Sequence, residues 1–366
     1  MVKILVFGMT EKPGGMESVI MNYYRKIDKN EYQFDFLCNN DHVAYEDEII
    51  KLGGNIYKIH QRSKDYFKYK KDIKKFFKNN ASQYDCIWMN TCSLANIDYL
   101  KYAKRYNIKK RIIHCHNSKN MDSRLRQIIH IINRRFLQKF ATDYWTCSTD
   151  SNEWFYGKKT TKKNNIVKIN NAINLEDFTY DIECRKKYRE NLNIKENTIA
   201  YLNIGRFHFQ KNQIRLINIF KKINEKNRDT MLFLIGDGED RVNIVNEIKK
   251  LNIEKNVIIL GFRNDINKII NAMDALIFPS IFEGLPVTLI EAQANGLPII
   301  ASDTISKEVN CSKSIVFCDL AKNDNYWSDV ILNTDLKRRD YRDSISKAGF
   351  NINVEVKKME KLFKEV

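Results

Sequence analysis

Phe278-Pro279-Ser280-Ile281-Phe282-Glu283-Gly284-Leu285-Pro286-Val287-Thr288-Leu289-Ile290-Glu291-Ala292-Gln293-Ala294-Asn295-Gly296-Leu297-Pro298 reads as a strand, a turn and a helix in direct succession. The apolar run before Pro279 suits a buried strand, Gly284 permits a sharp turn, and Pro286 suits a first helical turn, where its missing N–H would be unpaired anyway. Gly296 fits the left-handed stop position, and Pro298 follows it. Such a unit aims a helix N-terminus beyond the strand's carboxyl end, where free amides and the helix dipole favour an anion such as phosphate. Glu283 precedes the helix and Glu291 lies inside it. At their different depths, both can accept hydrogen bonds from vicinal hydroxyls; the bland alternative is two solvated glutamates around an ordinary turn.

The same alternation recurs outward from this segment to both ends. Strands are predicted at 2–8, 33–38, 55–59, 84–89, 111–115, 144–147 and 166–169, then at 198–204, 230–236, 256–261, 274–278, 297–301 and 314–318. Helical patterns lie between them, among them 16–27, 95–106, 124–140, 212–226, 239–252 and 287–295. Alternating strands and helices build parallel sheets. The two series predict an α/β protein of two Rossmann-like, doubly wound domains, 1–180 and 181–345, with ligand sites at the strands' carboxyl ends and a cleft between facing domains. A terminal helix within 346–366 carries Val354, Met359, Leu362 and Phe363 at helical spacing; a return to the N-terminal domain is one of its options.

Composition agrees with a two-domain globular chain. At roughly 100 to 200 residues per domain, 366 residues with 43% hydrophobic and 29% charged side chains exclude both a small module and a disordered chain. Apolar runs such as Thr230 to Ile235 fall far short of the ~20 residues that cross a bilayer. Val2 to Phe7 reads as a first strand rather than a signal peptide. Eight cysteines without a C-x-x-C pair fit a reducing compartment, so a cytoplasmic location is predicted, with peripheral contact at the inner face of the membrane as an added option. The net charge of +17 is uneven: residues 1–180 hold 32 Lys and Arg against 19 Asp and Glu, residues 181–366 hold 30 against 26. That bias invites nucleic acid, an anionic membrane or phosphorylated ligands, although the Lys-rich run Lys64 to Lys78 reads equally well as a solvated face.

Further motifs sit at predicted strand ends. Asn203-Ile204-Gly205-Arg206-Phe207-His208-Phe209-Gln210-Lys211-Asn212 places a planar Arg and a point-charge Lys five residues apart across a turn, where both could converge on one diphosphate. His114-Cys115-His116-Asn117 ends another strand, and alternation puts both histidines on one face. A metal reading lacks a third ligand of suitable spacing, leaving a core or capping histidine as the ordinary alternative. Gly236-Asp237-Gly238-Glu239 is half of a dinucleotide fingerprint and reads as a βα turn with Asp237 structural. Neither Asp-x-Asp nor a P-loop occurs, so no metal or other cofactor is expected. Ser123 to Phe140 is a basic amphipathic pattern with Leu125, Ile128, Ile129, Ile132, Phe136 and Phe140 near one face. It suits either a domain helix with a solvated basic side or one lying on anionic lipid. No nucleic-acid-binding signature accompanies the charge.

Taken in order, Gly14-Gly15-Met16-Glu17, Gly205-Arg206 to Lys211-Asn212, Gly236-Asp237-Gly238, and Glu283 to Glu291 with seven residues between the glutamates resemble the retaining glycosyltransferases of family 4. The likeness covers nearly the whole chain, and within the family the chain looks like bacterial capsule, exopolysaccharide or O-antigen sugar transferases. It implies a GT-B architecture, with the acceptor bound mainly by the first domain and a nucleotide sugar, which is a substrate, mainly by the second. Arg206 and Lys211 would then hold the donor diphosphate, Glu291 the ribose hydroxyls and Glu283 the donor sugar. Backbone at Gly205, Gly284, Leu285, Val287 and Thr288 would face sugar and phosphate, Phe262 and Arg263 would lie beside the base, and Gly15 would let the first helix approach the phosphate. His116 is the better match for a donor-sugar contact, with His114 still open. The function expected is transfer of a hexosyl residue from a UDP-sugar to a lipid-linked oligosaccharide; a nucleotide-sugar epimerase and a non-catalytic sugar-nucleotide-binding protein share the architecture. Side chains around Gly14 to Glu17 and Asn90 to Ser93 are expected to bear on donor and acceptor choice.

Overall fold

The computed structural model describes residues 1–117 and 123–365. It divides into two units, Met1–Ala172 with Ile352–Val366, and Ile173–Asn351. The first contains β1 (Val2–Phe7), β2 (Tyr32–Cys38), β3 (Asn55–Lys58), β4 (Cys86–Thr91), β5 (Lys110–Cys115), β6 (Asp143–Thr146) and β7 (Ile166–Lys168). They form one parallel sheet in the order β3-β2-β1-β4-β5-β6-β7. The second contains β8 (Ile199–Ile204), β9 (Thr230–Ile235), β10 (Val257–Gly261), β11 (Ala275–Phe278), β12 (Ile299–Ser302) and β13 (Ile315–Cys318). Its parallel order is β10-β9-β8-β11-β12-β13. Both orders reverse direction once, between β1 and β4 and between β8 and β11, and in doubly wound sheets these switch points are where ligands bind.

All thirteen predicted strands are present, each end within two residues of expectation. Strands covered on both faces need nearly unbroken apolar runs; Ala275, Leu276, Ile277 and Phe278 of β11 are all buried, as are Leu232, Phe233 and Leu234 of β9. Helix starts are marked by side-chain caps: Asp65 accepts from the Lys68 N–H, Ser123 from Arg126, and Asp181 from Glu183 and Cys184, each typically worth about 1 kcal/mol. The Lys-rich run becomes the helix Tyr66–Asn80, which buries Tyr69, Ile73, Phe76 and Phe77 and turns Lys68, Lys71, Lys74, Lys75 and Lys78 outward.

The chain enters the second unit at Ile173 and leaves it after Asn351, not at the expected 180/181 and 345/346. The shift follows from what these connectors hold. Asn295 donates to the Phe178 carbonyl at 3.2 Å and Arg342 to Thr179 Oγ1 at 3.0 Å, so the residues predicted to close the first domain belong to the second. The helix Ile352–Lys364 returns to the first unit. Glu360 receives the Asp28 N–H at 3.1 Å and its carbonyl the Tyr32 hydroxyl at 2.8 Å, while the Phe363 ring lies 5.5 Å from Trp145 and 6.0 Å from Trp88. Among the described residues no helix is long and apolar enough to cross a membrane.

Candidate active site

In the second unit, the chain segments leaving β8 and β11 are tied together across the switch point. The Ile281 N–H donates to the Gln210 carbonyl at 2.8 Å, Asn212 Nδ2 to the Pro279 carbonyl at 3.1 Å, and Gln210 Nε2 to the Phe282 carbonyl at 2.9 Å. On this frame Lys211 Nζ meets Glu283 Oε1 at 2.7 Å, and Gln210 Nε2 reaches Glu283 Oε2 at 3.3 Å. The pair is largely buried, the lysine side chain 19% exposed and the glutamate 8%. Lys211 reaches it by laying its methylenes over Gly205, where a Cβ would stand 3.0 Å from Lys211 Cε. Its ammonium also lies 4.8 Å from the centre of the Phe278 ring. A desolvated pair of this kind is costly to break from one side, because the remaining charge stays buried.

Arg206 does not join that pair. Its guanidinium binds Glu239 at 3.0 Å, and His208 Nε2 lies 3.4 Å from the other oxygen of the same carboxylate. The predicted convergence of Arg206 and Lys211 on one point is therefore replaced by two separate ion pairs, the Arg206 side chain being 63% exposed. At the end of β10, Phe262 is exposed and Arg263 is held by Asp265 at 2.6 Å.

The helix Val287–Ala294 starts behind Pro286. Gly284 bends the chain without entering the left-handed region, whereas Gly296 has φ +72° as its stop position requires. Leu285 and Val287 are buried, so they can face a ligand only through the main chain. Leu289 bonds back to the Pro286 carbonyl, which leaves the amides of Val287 and Thr288 available at the helix start. Glu291, one turn further on, keeps some solvent exposure. Protein nevertheless surrounds its carboxyl closely enough that desolvation raises it to about 7. No donor from the described residues reaches it, so the group is desolvated and ready to accept.

In the first unit, β1 and β4 approach so closely at their switch point that a Cβ on Gly8 would lie 2.7 Å from Asn90 Cβ. Beyond this contact, Gly14 caps the helix Gly15–Lys26. Buried Glu17 folds back to accept the Thr10 hydroxyl at 2.7 Å. A Cβ on Gly15 would touch nothing within 4 Å.

The two histidines at the end of β5 differ. His114 is fully buried and its Nδ1 accepts from Trp88 Nε1 at 3.3 Å, so Nε2 carries the hydrogen and finds no partner among the described residues. Burial, with a smaller contribution from His116, holds its pKa well below the ordinary value. His116 is part-exposed, and burial around its ring lowers it to about 3. Asn90 Nδ2 donates to the Phe7 carbonyl, turning its Oδ1 toward His116 Nε2 at 2.8 Å. His116 therefore donates through Nε2 and presents Nδ1 as an acceptor. Among the described residues no three His, Cys, Asp or Glu side chains are grouped to hold a metal ion.

Sequence reasoning missed Gln210 and His208 as partners of the site, and it pointed to Asn90 only as bearing on donor and acceptor choice, not as the partner of His116. They carry no motif signal of their own; only Asn203, Lys211 and Glu283 around them are placed by strand ends.

Residues 185–312 match the family model described as glycosyl transferases group 1. The chain is 27% identical over 350 residues to EpsF of Bacillus subtilis (strain 168), which carries a glycosyltransferase name, covering 92% of this chain and 90% of that one. It is 34% identical over 145 residues to the UDP-Gal:alpha-D-GlcNAc-diphosphoundecaprenol alpha-1,3-galactosyltransferase of Escherichia coli, covering 38% of this chain and 36% of the other. In architecture it resembles Anabaena Alr3699/HepE, solved in complex with UDP and glucose, at a TM-score of 0.81, 16% identity and full coverage of both chains.

Proposed function

Since the chain is a nucleotide-sugar-dependent glycosyltransferase of the GT-B fold, we propose that it moves a hexosyl residue from a UDP-sugar to a hydroxyl of a lipid-linked oligosaccharide, with retention of configuration, in cell-surface polysaccharide assembly. The carrying observation is the buried Lys211–Glu283 pair at the switch point of the second sheet, beside a helix start with open amides. The Escherichia coli relative's name, with its UDP-Gal donor and diphosphoundecaprenol acceptor, supports the donor and acceptor classes. In the reaction the bond from the anomeric carbon to the diphosphate oxygen breaks, the bond to the acceptor oxygen forms, and the acceptor's proton passes to the leaving diphosphate. Lys211 and the Val287 and Thr288 amides supply fixed positive charge where the diphosphate becomes more negative, and Arg206 would join them only by leaving Glu239. Glu283 has both oxygens engaged by Lys211 and Gln210, which suits a group that orients the donor sugar better than a covalent nucleophile. His116 Nδ1 would accept from a donor-sugar hydroxyl, and Phe262 and Arg263 would flank the base.

The test is UDP release from a panel of UDP-sugars with EDTA present, with and without membrane lipid extract. Release from one donor that requires the extract and yields an α-linked product is expected. Donor conversion without extract would replace the transferase by an epimerase, and release that needs added divalent cation would overturn the metal-free course.

Glu291 adds a pH signature. Its free carboxyl titrates at about 7, and the proposed ribose hydroxyls donate more strongly to the ionised form than to the protonated one, so bound donor favours loss of the proton. Affinity therefore rises with pH until the free group is ionised. UDP should bind about tenfold more tightly at pH 8 than at pH 6. Titration calorimetry checks this, and Glu291→Gln should flatten the profile; an equally steep profile in that variant would remove Glu291 from the ribose site.

A further inference from the structure

Asn90 is a fully buried polar residue near the carboxyl end of β4, and packing alone would not select it. Its strand neighbours Trp88 and Met89 are equally buried, so an aliphatic side chain would fill the place without the cost of desolvating an amide. Gly8 makes room for it, since a Cβ there would stand 2.7 Å from Asn90 Cβ and 3.1 Å from the Asn90 carbonyl oxygen. The two strands of the switch point fix the carboxamide's orientation. Its Nδ2 lies 3.3 Å from the Phe7 carbonyl and 3.4 Å from that of Trp88, and turning the group over would set its oxygen against both carbonyl oxygens. Oδ1 is therefore committed to His116 Nε2 at 2.8 Å, and only a protonated Nε2 satisfies that contact.

The other neighbours leave His116 Nδ1 bare. The His116 main chain is pinned by its N–H to the Thr91 carbonyl at 3.2 Å. The His114 ring lies 4.2 Å away, but its Nδ1 is taken by Trp88 and its Nε2 has no partner among the described residues, so it donates nothing to His116. Burial lowers the His116 imidazole to about 3, which keeps it neutral near pH 7. A neutral ring protonated at Nε2 has one lone pair to offer and no hydrogen beside it.

We infer that Asn90 is a positioning residue that makes His116 an obligate hydrogen-bond acceptor, so that the site selects donor sugars carrying a hydroxyl where His116 meets them. Sugars with a deoxy carbon or a carboxylate at that place are rejected. The first leaves the lone pair unmatched, and the second faces it with further lone pairs. The selection rests on the proposed contact between His116 and the donor sugar; the tautomer does not.

Histidine labelled with nitrogen-15 in the full chain reports the tautomer by magnetic resonance at pH 7. His116, identified by the signals lost in His116→Gln, is expected to be protonated at Nε2 and bare at Nδ1, and Asn90→Leu should mix the two tautomers. Calorimetry then compares the UDP-hexose that the wild type binds best with its monodeoxy and deoxyfluoro analogues at each hydroxyl, because fluorine accepts but does not donate. At one position both analogues should bind about 10- to 100-fold more weakly than the parent, and that gap should close to about threefold in Asn90→Leu. A hydrogen on Nδ1 in the wild type, or a pure Nε2 tautomer in Asn90→Leu, would overturn the role of Asn90. Fluorine tolerated at every position would overturn the acceptor assignment, and a gap that survives in Asn90→Leu would break the link between the two residues. A chain that binds UDP-sugars with this selection yet transfers none would remove the transferase reading and leave the inference standing.

Discussion

Lys211→Ala is expected to lower kcat about 100- to 1000-fold, the loss that follows removal of one aligned donor to developing charge, while KM for the UDP-sugar changes by much less. Two effects act together. The variant removes positive charge from the place where the diphosphate is proposed to leave, and it strands Glu283, whose side chain is 8% exposed, without its 2.7 Å partner. A stranded buried carboxylate either protonates or draws in water, and both disturb the donor sugar it is proposed to orient. Glu283→Ala should fall to a similar level for the reciprocal reason. The double variant separates the two effects. If Lys211 served only to neutralise Glu283, removing both would restore turnover; the expectation is that the double variant is no faster than the slower single one, as for residues acting as a unit. A folded Lys211→Ala enzyme within about threefold of wild-type kcat would sink the assignment, because no single aligned donor is worth so little. Lys211→Arg should recover only part of the loss: the lysine methylenes already pass 3.0 to 3.2 Å from the Cβ position over Gly205, and a planar guanidinium does not fit that channel as a compact ammonium does.

The same channel shows what the sequence could and could not convey. Strand positions were legible because buried parallel strands are written in contiguous apolar letters, and the strand ends then located Lys211, Glu283 and His116 without any contact being known. Gly296 was legible for a similarly local reason, since a helix stop needs a left-handed residue. Pairings across the switch point were not legible. Arg206 and Lys211 are neighbours in sequence, yet one is drawn to Glu239 and the other to Glu283, a division set by loops from β9 and β11 that meet only in three dimensions. The orientation of the Arg124–Phe136 helix was hidden for the opposite reason. Its pattern is amphipathic in the ordinary sense, but His130 and Asn133 are satisfied by the main chain of residue 94, so polar groups win the inward face and the stripe of Leu125, Ile128, Ile132 and Phe136 is left outside. Residues 173–180 fall to the second unit, not the first, because a connector has no periodicity, and its membership is decided by partners such as Asn295 and Arg342.

Gly236→Ala should destabilise the second unit by about 3 to 5 kcal/mol, combining backbone strain with overpacking. In sequence this residue is half of a weak Gly-x-Gly pattern; in the structure it has φ +137° and its Cβ position lies 2.1 Å from the Gly205 carbonyl oxygen. The clash is with main chain, so no rotamer change relieves it, and the segment it would push aside is the one that carries Arg206 and cradles Lys211. Thermal unfolding followed by circular dichroism should show a transition lowered by about 10 °C at the 2 to 4 °C per kcal/mol usual for units of this size. Gly15→Ala supplies the contrast, because its added methyl would meet nothing within 4 Å and it stands at the first position of a helix, where alanine is the better helix former. Its stability should be unchanged or raised by up to about 1 kcal/mol. A loss of UDP-sugar binding in Gly15→Ala would therefore report the approach of a ligand to that helix, whereas the same loss in Gly236→Ala would report the collapse of the loop behind Lys211. Equal stability of Gly236→Ala and wild type would mean that the Gly205 and Gly236 loops can part at little cost, and the rigid seat assigned to Lys211 would go with it.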